Sequence, residues 1–94
     1  MPAYVVLYRF TDVGRKNIKG SVRRAQEVRS ENEKRGFKVL AHYWTQGRYD
    51  LVTIVEAPNE EAMMGGLFSI AEAGNVSSET MRAFTDDEMQ KMLA

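Results

Sequence analysis

Two strand-like runs, residues 37–46 and 49–56, stand only two residues apart, and this spacing restricts the fold more than any other feature. Both are rich in the β-branched and aromatic types that suit a pleated, half-buried surface. The Gly47-Arg48 connection demands antiparallel pairing, with glycine supplying the positive φ of a type II′ turn. Such a loop also sets the register: Gln46 opposes Tyr49, and outward from the turn Trp44 opposes Leu51, His42 opposes Thr53 and Leu40 opposes Val55. On the opposite side Thr45, Tyr43 and Ala41 oppose Asp50, Val52 and Ile54.

Residues 3–10 have the same strand character, and Thr11-Asp12-Val13-Gly14 interrupts it. A short helical turn through Ile18 ends at Gly20, and Ser21 is placed to cap a helix from about 22 to 35. Val22, Ala25 and Val28 give that helix a narrow apolar stripe, and Gly36 stops it. Pro58 ends the third strand. Asn59 caps a second helix with Glu60 and Glu61 in its first turn, running to about Ala73 and stopping at Gly74. Residues 76–84 form a fourth strand, and Thr85-Asp86-Asp87-Glu88 is a capping box that opens a short C-terminal helix. The order β-α-β-β-α-β predicts an α+β, ferredoxin-like domain over residues 1–94: a four-stranded antiparallel sheet with helices on one face.

Composition narrows the class of function. With no cysteine there is no disulfide, thiolate zinc site or thiol nucleophile, and with one histidine no multi-histidine metal site within a chain. No metal is therefore expected. The N-terminal residues lack the basic start and apolar stretch of a secretion signal, and no apolar run reaches bilayer length, so a cytoplasmic protein without membrane contact is expected. Net charge is zero but divided: residues 1–38 hold ten Lys or Arg against four acids, and residues 39–94 hold three against nine. Two surface faces of opposite sign explain this, and no nucleic-acid partner is expected from so modest a basic excess.

Both sheet faces are apolar. The smaller aliphatic set (Val5, Leu7, Val39, Ala41, Val52, Ile54, Met81 and Ala83) is expected beneath the helices. The bulkier set (Tyr4, Val6, Tyr8, Phe10, Leu40, His42, Trp44, Leu51, Thr53, Val55, Thr80, Arg82 and Phe84) would then face outward. That is too much apolar surface to leave in water, so a homodimer joined through its sheet faces is expected.

Three segments resemble the GYD domain family. They are Arg9-Phe10-Thr11-Asp12, Gly47-Arg48-Tyr49-Asp50 with the following Leu-Val-Thr-Ile-Val-Glu-Ala-Pro, and Gly74-Asn75-Val76 leading to Thr80-Met81-Arg82-Ala83-Phe84-Thr85. The resemblance spans essentially the whole chain and implies a dimeric α/β barrel. Where the family pattern starts its first helix with an Asp-Ser-Pro-like segment, this chain has Gly20-Ser21-Val22. Similar barrels include small monooxygenases, haem-using enzymes and effector-binding domains, so the family implies a shape without choosing a reaction.

The expected function is to hold a small, partly apolar molecule in a cavity on the sheet face, lined by Tyr4, Tyr8, His42, Trp44, Tyr49, Thr53 and Arg82. Arg82 would meet a carboxylate or phosphate. An enzyme using the same cavity, a cofactor-independent monooxygenase or isomerase with His42 as proton shuttle, is the first alternative. A purely structural dimerisation module is the second. No cofactor is expected, with haem on His42 beside Trp44 as the alternative. Asp50 is assigned a structural role. Met63-Met64-Gly65-Gly66 lies in a helical pattern, lacks the setting of a phosphate loop and suits close helix packing instead.

Overall fold

A computed structural model describes residues 1–94. The elements are β1 (Ala3–Phe10), α1 (Asp12–Lys16), a 3₁₀ turn (Ile18–Gly20), α2 (Ser21–Lys34), β2 (Lys38–Trp44), β3 (Leu51–Glu56), α3 (Glu60–Ala73), β4 (Val76–Ala83) and α4 (Asp86–Leu93). The strands form one antiparallel sheet in the order β2-β3-β1-β4, the expected ferredoxin-like arrangement. No helix is long and apolar enough to cross a membrane.

Local chemistry sets most boundaries. The Asn59 side chain accepts a hydrogen bond from the Ala62 N–H at 2.8 Å, and Gly74 closes α3 in the left-handed conformation at φ +76°. Thr85 and Glu88 complete a capping box at α4, and the backbone bond from Thr85 holds the Glu88 carboxyl below its usual range. Ser21 is not the cap predicted for α2. It lies inside the helix and its hydroxyl donates to the Ile18 carbonyl at 2.7 Å, because the 3₁₀ turn runs directly into the first helical turn.

The hairpin register holds from Ala41 to Trp44 and then changes. A bulge at Leu40 puts Val39, rather than Leu40, opposite Val55. Regular pairing stops at Trp44 and Leu51, so the connection is longer than the predicted two-residue turn. Backbone and side chain hold it instead: the Thr45 N–H donates to the Asp50 carbonyl (2.8 Å) and its hydroxyl to the Tyr49 carbonyl (2.7 Å). Gly47 still supplies a positive φ, of +98°.

The largest correction concerns the faces. The helices cover the bulky face, not the aliphatic one. Tyr4, Val6 and Val55 form the core with Phe37, Ala57 and Met63, and Tyr8, Val39, Ala62 and Leu67 pack around them. Two short helices leave a deep space above a sheet, and large side chains fill it better than small ones. The opposite face therefore stays open. It carries Val5 and Leu7 on β1, Val52 and Ile54 on β3, Ala41 and Tyr43 on β2, and Met81 on β4, with Tyr43 65% and Met81 48% exposed.

Three hydrogen bonds tie the end of β1 to distant segments, joining Arg9–Asp12 to Gly47–Asp50 and Gly74–Val76. The Thr11 N–H donates to the Asn75 carbonyl (3.1 Å), and its hydroxyl donates to the Gly74 carbonyl (2.5 Å). The Phe10 N–H donates to the Asp50 carboxylate (2.8 Å), the structural role expected of that residue. Gly14 is buried in this junction. A Cβ there would stand 1.9 Å from the Asn75 carbonyl oxygen, so only glycine fits.

Candidate ligand pocket

A cavity of about 440 Å³ lies between the bulky sheet face and helices α2 and α3. Its floor includes Tyr8 and Phe10 from β1, His42 and Trp44 from β2, and Leu51 and Thr53 from β3. Met63, Leu67 and Ile70 of α3 form one wall. The roof is α2, and its composition explains why the space persists. The α2 residues that line it include Ser21, Arg24, Ala25, Val28 and Asn32, spaced three and four apart but small or polar. Val22, predicted to point inward, is 54% exposed instead. A roof without large apolar side chains cannot settle onto an aromatic floor.

The floor has a defined geometry. The Phe10 and Trp44 rings stack at 6.4 Å, and His42 meets Trp44 edge-on at 5.6 Å. His42 Nδ1 lies 3.0 Å from the Thr53 hydroxyl, as opposed residues on one face should. Burial, and then the positive charge of Arg29, lowers the His42 pKa below its ordinary 6.5, so the imidazole is neutral at pH 7. Burial raises the Tyr8 hydroxyl above its usual value, an effect that a hydrogen bond with Thr53 opposes.

Two buried polar atoms in residues lining this cavity have no partner: His42 Nε2 and Arg24 Nη2. Buried polar groups are normally satisfied, and each orphan costs the desolvation of that group, so a cavity lined by two such residues suits a ligand's polar atoms.

Of the predicted site residues, the structure brings Tyr8, His42, Trp44 and Thr53 together at this cavity. The other three lie elsewhere. Tyr4 is buried in the core. Arg82 sits at the β1–β4 edge, its guanidinium 5.6 Å from the Tyr4 ring and 4.5 Å from that of Phe84, and it donates to the Ala3 carbonyl at 3.1 Å. Tyr49 hydrogen-bonds Glu79, whose position opposite Leu7 belongs to the open face, and this bond raises its hydroxyl pKa. Both Tyr49 and Arg82 are held by neighbours that a two-strand register does not reveal. Sequence reasoning missed Arg24. Its signal was the spacing Ser21-Arg24-Ala25-Val28, which places an arginine on the same helix side as the apolar stripe. Of the Met63-Met64-Gly65-Gly66 segment, Met63 lines the cavity and Met64 is exposed.

The GYD domain profile matches residues 4–93. The chain belongs to the GYD domain family. A relative from Thermus thermophilus, 33% identical over 84 residues and 88% of each chain, is described as "Glutamine synthetase and cystathionine beta-lyase binding protein". Solved structures share the fold at low identity. FFRP-DM1 aligns with a TM-score of 0.63 at 17% identity, over 89% of the GYD chain and 100% of its own. MtbAldR aligns at 0.68 and 15%, over 90% of the GYD chain and 52% of its own. A hypothetical protein from Pyrococcus horikoshii aligns at 0.55 and 19%, over 92% and 93%.

Proposed function

We propose that this GYD protein is a homodimeric binding domain that holds a small, partly apolar molecule between its sheet and its helices. The observation that carries this reading is the cavity itself: an aromatic floor, an underfilled roof, and two unpartnered polar atoms, His42 Nε2 and Arg24 Nη2. Mostly apolar walls with a few converging polar groups characterise small-molecule sites, and about 440 Å³ falls within their usual size. Native mass spectrometry of freshly purified protein tests it. A defined extra mass lost in His42→Ala or Arg24→Gln supports the pocket, whereas the same adduct on both variants removes it.

The dimer follows from the face the helices leave bare. Val5, Leu7, Val52, Ile54 and Met81 lie side by side across three strands, an apolar surface of the kind that packs on a second sheet. Ile54→Glu is expected to convert the dimer to a monomer in sedimentation velocity. A monomeric unsubstituted protein would end the proposal of pairing.

A second reading has its own support. The Thermus relative's description concerns binding to two enzymes. Docking onto a metabolic enzyme is therefore the partner reading for this chain. Mixing the protein with purified glutamine synthetase or cystathionine beta-lyase and running size-exclusion chromatography tests it: co-elution supports docking, and separate elution from both counts against it.

A further inference from the structure

Resting on the pocket reading, we infer that the cavity selects an organic monocarboxylate without an amino group, with its carboxylate on Arg24 and its apolar body over Tyr8, Phe10 and Trp44. Arg24 is already anchored. Its Nη1 donates to the Asn17 carbonyl at 2.9 Å, which leaves Nη2 shielded from solvent with unused N–H groups. A guanidinium in that state is best completed by an anion, because a charge-assisted bond is stronger than a neutral one and a carboxylate matches the planar donor geometry. Arg29 also lines the cavity, its charge shared with Glu33 at 3.3 Å.

The rest of the site limits the ligand to one negative charge and no positive one. His42 Nε2, the second unpartnered atom, belongs to a neutral imidazole and supplies one hydrogen bond without a further charge. A ligand ammonium would need a free acid. The two carboxylates that line the cavity are exposed and already paired, Glu27 with Arg23 at 3.2 Å and Glu31 with Lys34 at 3.7 Å. An amino group would meet the Arg24 guanidinium, which no carboxylate pairs, whereas Arg29 is already paired with the exposed Glu33 at 3.3 Å. The stacked Phe10 and Trp44 rings offer a flat apolar surface, which a simple hydrocarbon or aryl body covers.

Trp44 is the only tryptophan, so its fluorescence reports occupancy of this cavity directly. The full-length protein is titrated at neutral pH with 3-phenylpropanoate, its amide 3-phenylpropanamide, and phenylalanine. Saturable binding of the acid is expected, with the amide and phenylalanine each about tenfold weaker or worse. In Arg24→Gln the acid falls to the level of the amide, and in Arg24→Lys it lies between the two. Equal binding of acid and amide by the unsubstituted protein, tighter binding of phenylalanine, or a preference that survives Arg24→Gln would each overturn the assignment while leaving a pocket in place. The comparison within the unsubstituted protein keeps the test decisive if a variant misfolds. No saturable response to any of the three compounds would overturn the assignment, while the pocket reading stands or falls separately on the adduct seen in native mass spectrometry.

Discussion

The junction at the end of β1 and the cavity under α2 lie on the same strand and are built on opposite terms. At the junction, backbone from three distant segments closes on Thr11, Gly14 and Asp50, with bonds of 2.5 to 3.1 Å and no room for one added carbon. Over the cavity, α2 offers Ala25 and Val28 to a floor of Tyr8, Phe10 and Trp44 and leaves about 440 Å³ unfilled. Phe10, Leu51 and Thr53 of the segments that carry the family resemblance line the cavity, but Thr11, Asp50, Gly74 and Asn75 of the same segments meet at the tight region. The helix start that departs from the family pattern maps to the loose one.

Adding carbon to each region is the sharpest way to break this contrast. Gly14→Ala forces a Cβ against the Asn75 carbonyl and should cost about 3 kcal/mol or prevent folding, measured by urea denaturation. A cost below about 1 kcal/mol would mean the junction yields, and the contrast would collapse.

Protonation probes the cavity floor. The folded pKa of His42 lies below its unfolded 6.5, so the unfolded chain takes up the proton first as pH falls. The stability His42 contributes while neutral is present above pH 6.5 and is lost below it, until the folded pKa is passed and the loss levels off. Thermal melts from pH 8 to 5 should show this decline, and His42→Phe should flatten it. An identical pH profile in the variant would place the titration elsewhere.

Ala25→Leu makes the smallest change. It adds apolar carbon where the roof is underfilled, so stability should stay within about 1 kcal/mol of the unsubstituted protein or rise. Binding of 3-phenylpropanoate should weaken by roughly tenfold as the volume is taken up. A destabilisation comparable to that of Gly14→Ala would show that α2 is as closely fitted as the junction.

The positions of helices and strands were legible because local chemistry decides them. Asn59, Gly74 and the Thr85–Glu88 box act over a few residues, and the hairpin register from Ala41 to Trp44 follows from chain connectivity. Four of the seven predicted site residues meet in one place because alternation puts Tyr8, His42, Trp44 and Thr53 on a common face. The Leu40 bulge was not legible, since one extra residue in a strand leaves the apolar pattern unchanged while reversing the parity before it.

The sequence by itself determined the order of elements and the pairing of opposed residues near the hairpin. Which sheet face the helices cover was decided only in three dimensions. Period-two alternation separates two faces without labelling either as the inside, and here both are apolar. The label comes from volume: the space under two helices takes Tyr4, Val6, Val55 and Phe37, and the aliphatic face is left bare. The cavity has the same origin, since it depends on the distance between roof and floor, which no residue carries alone.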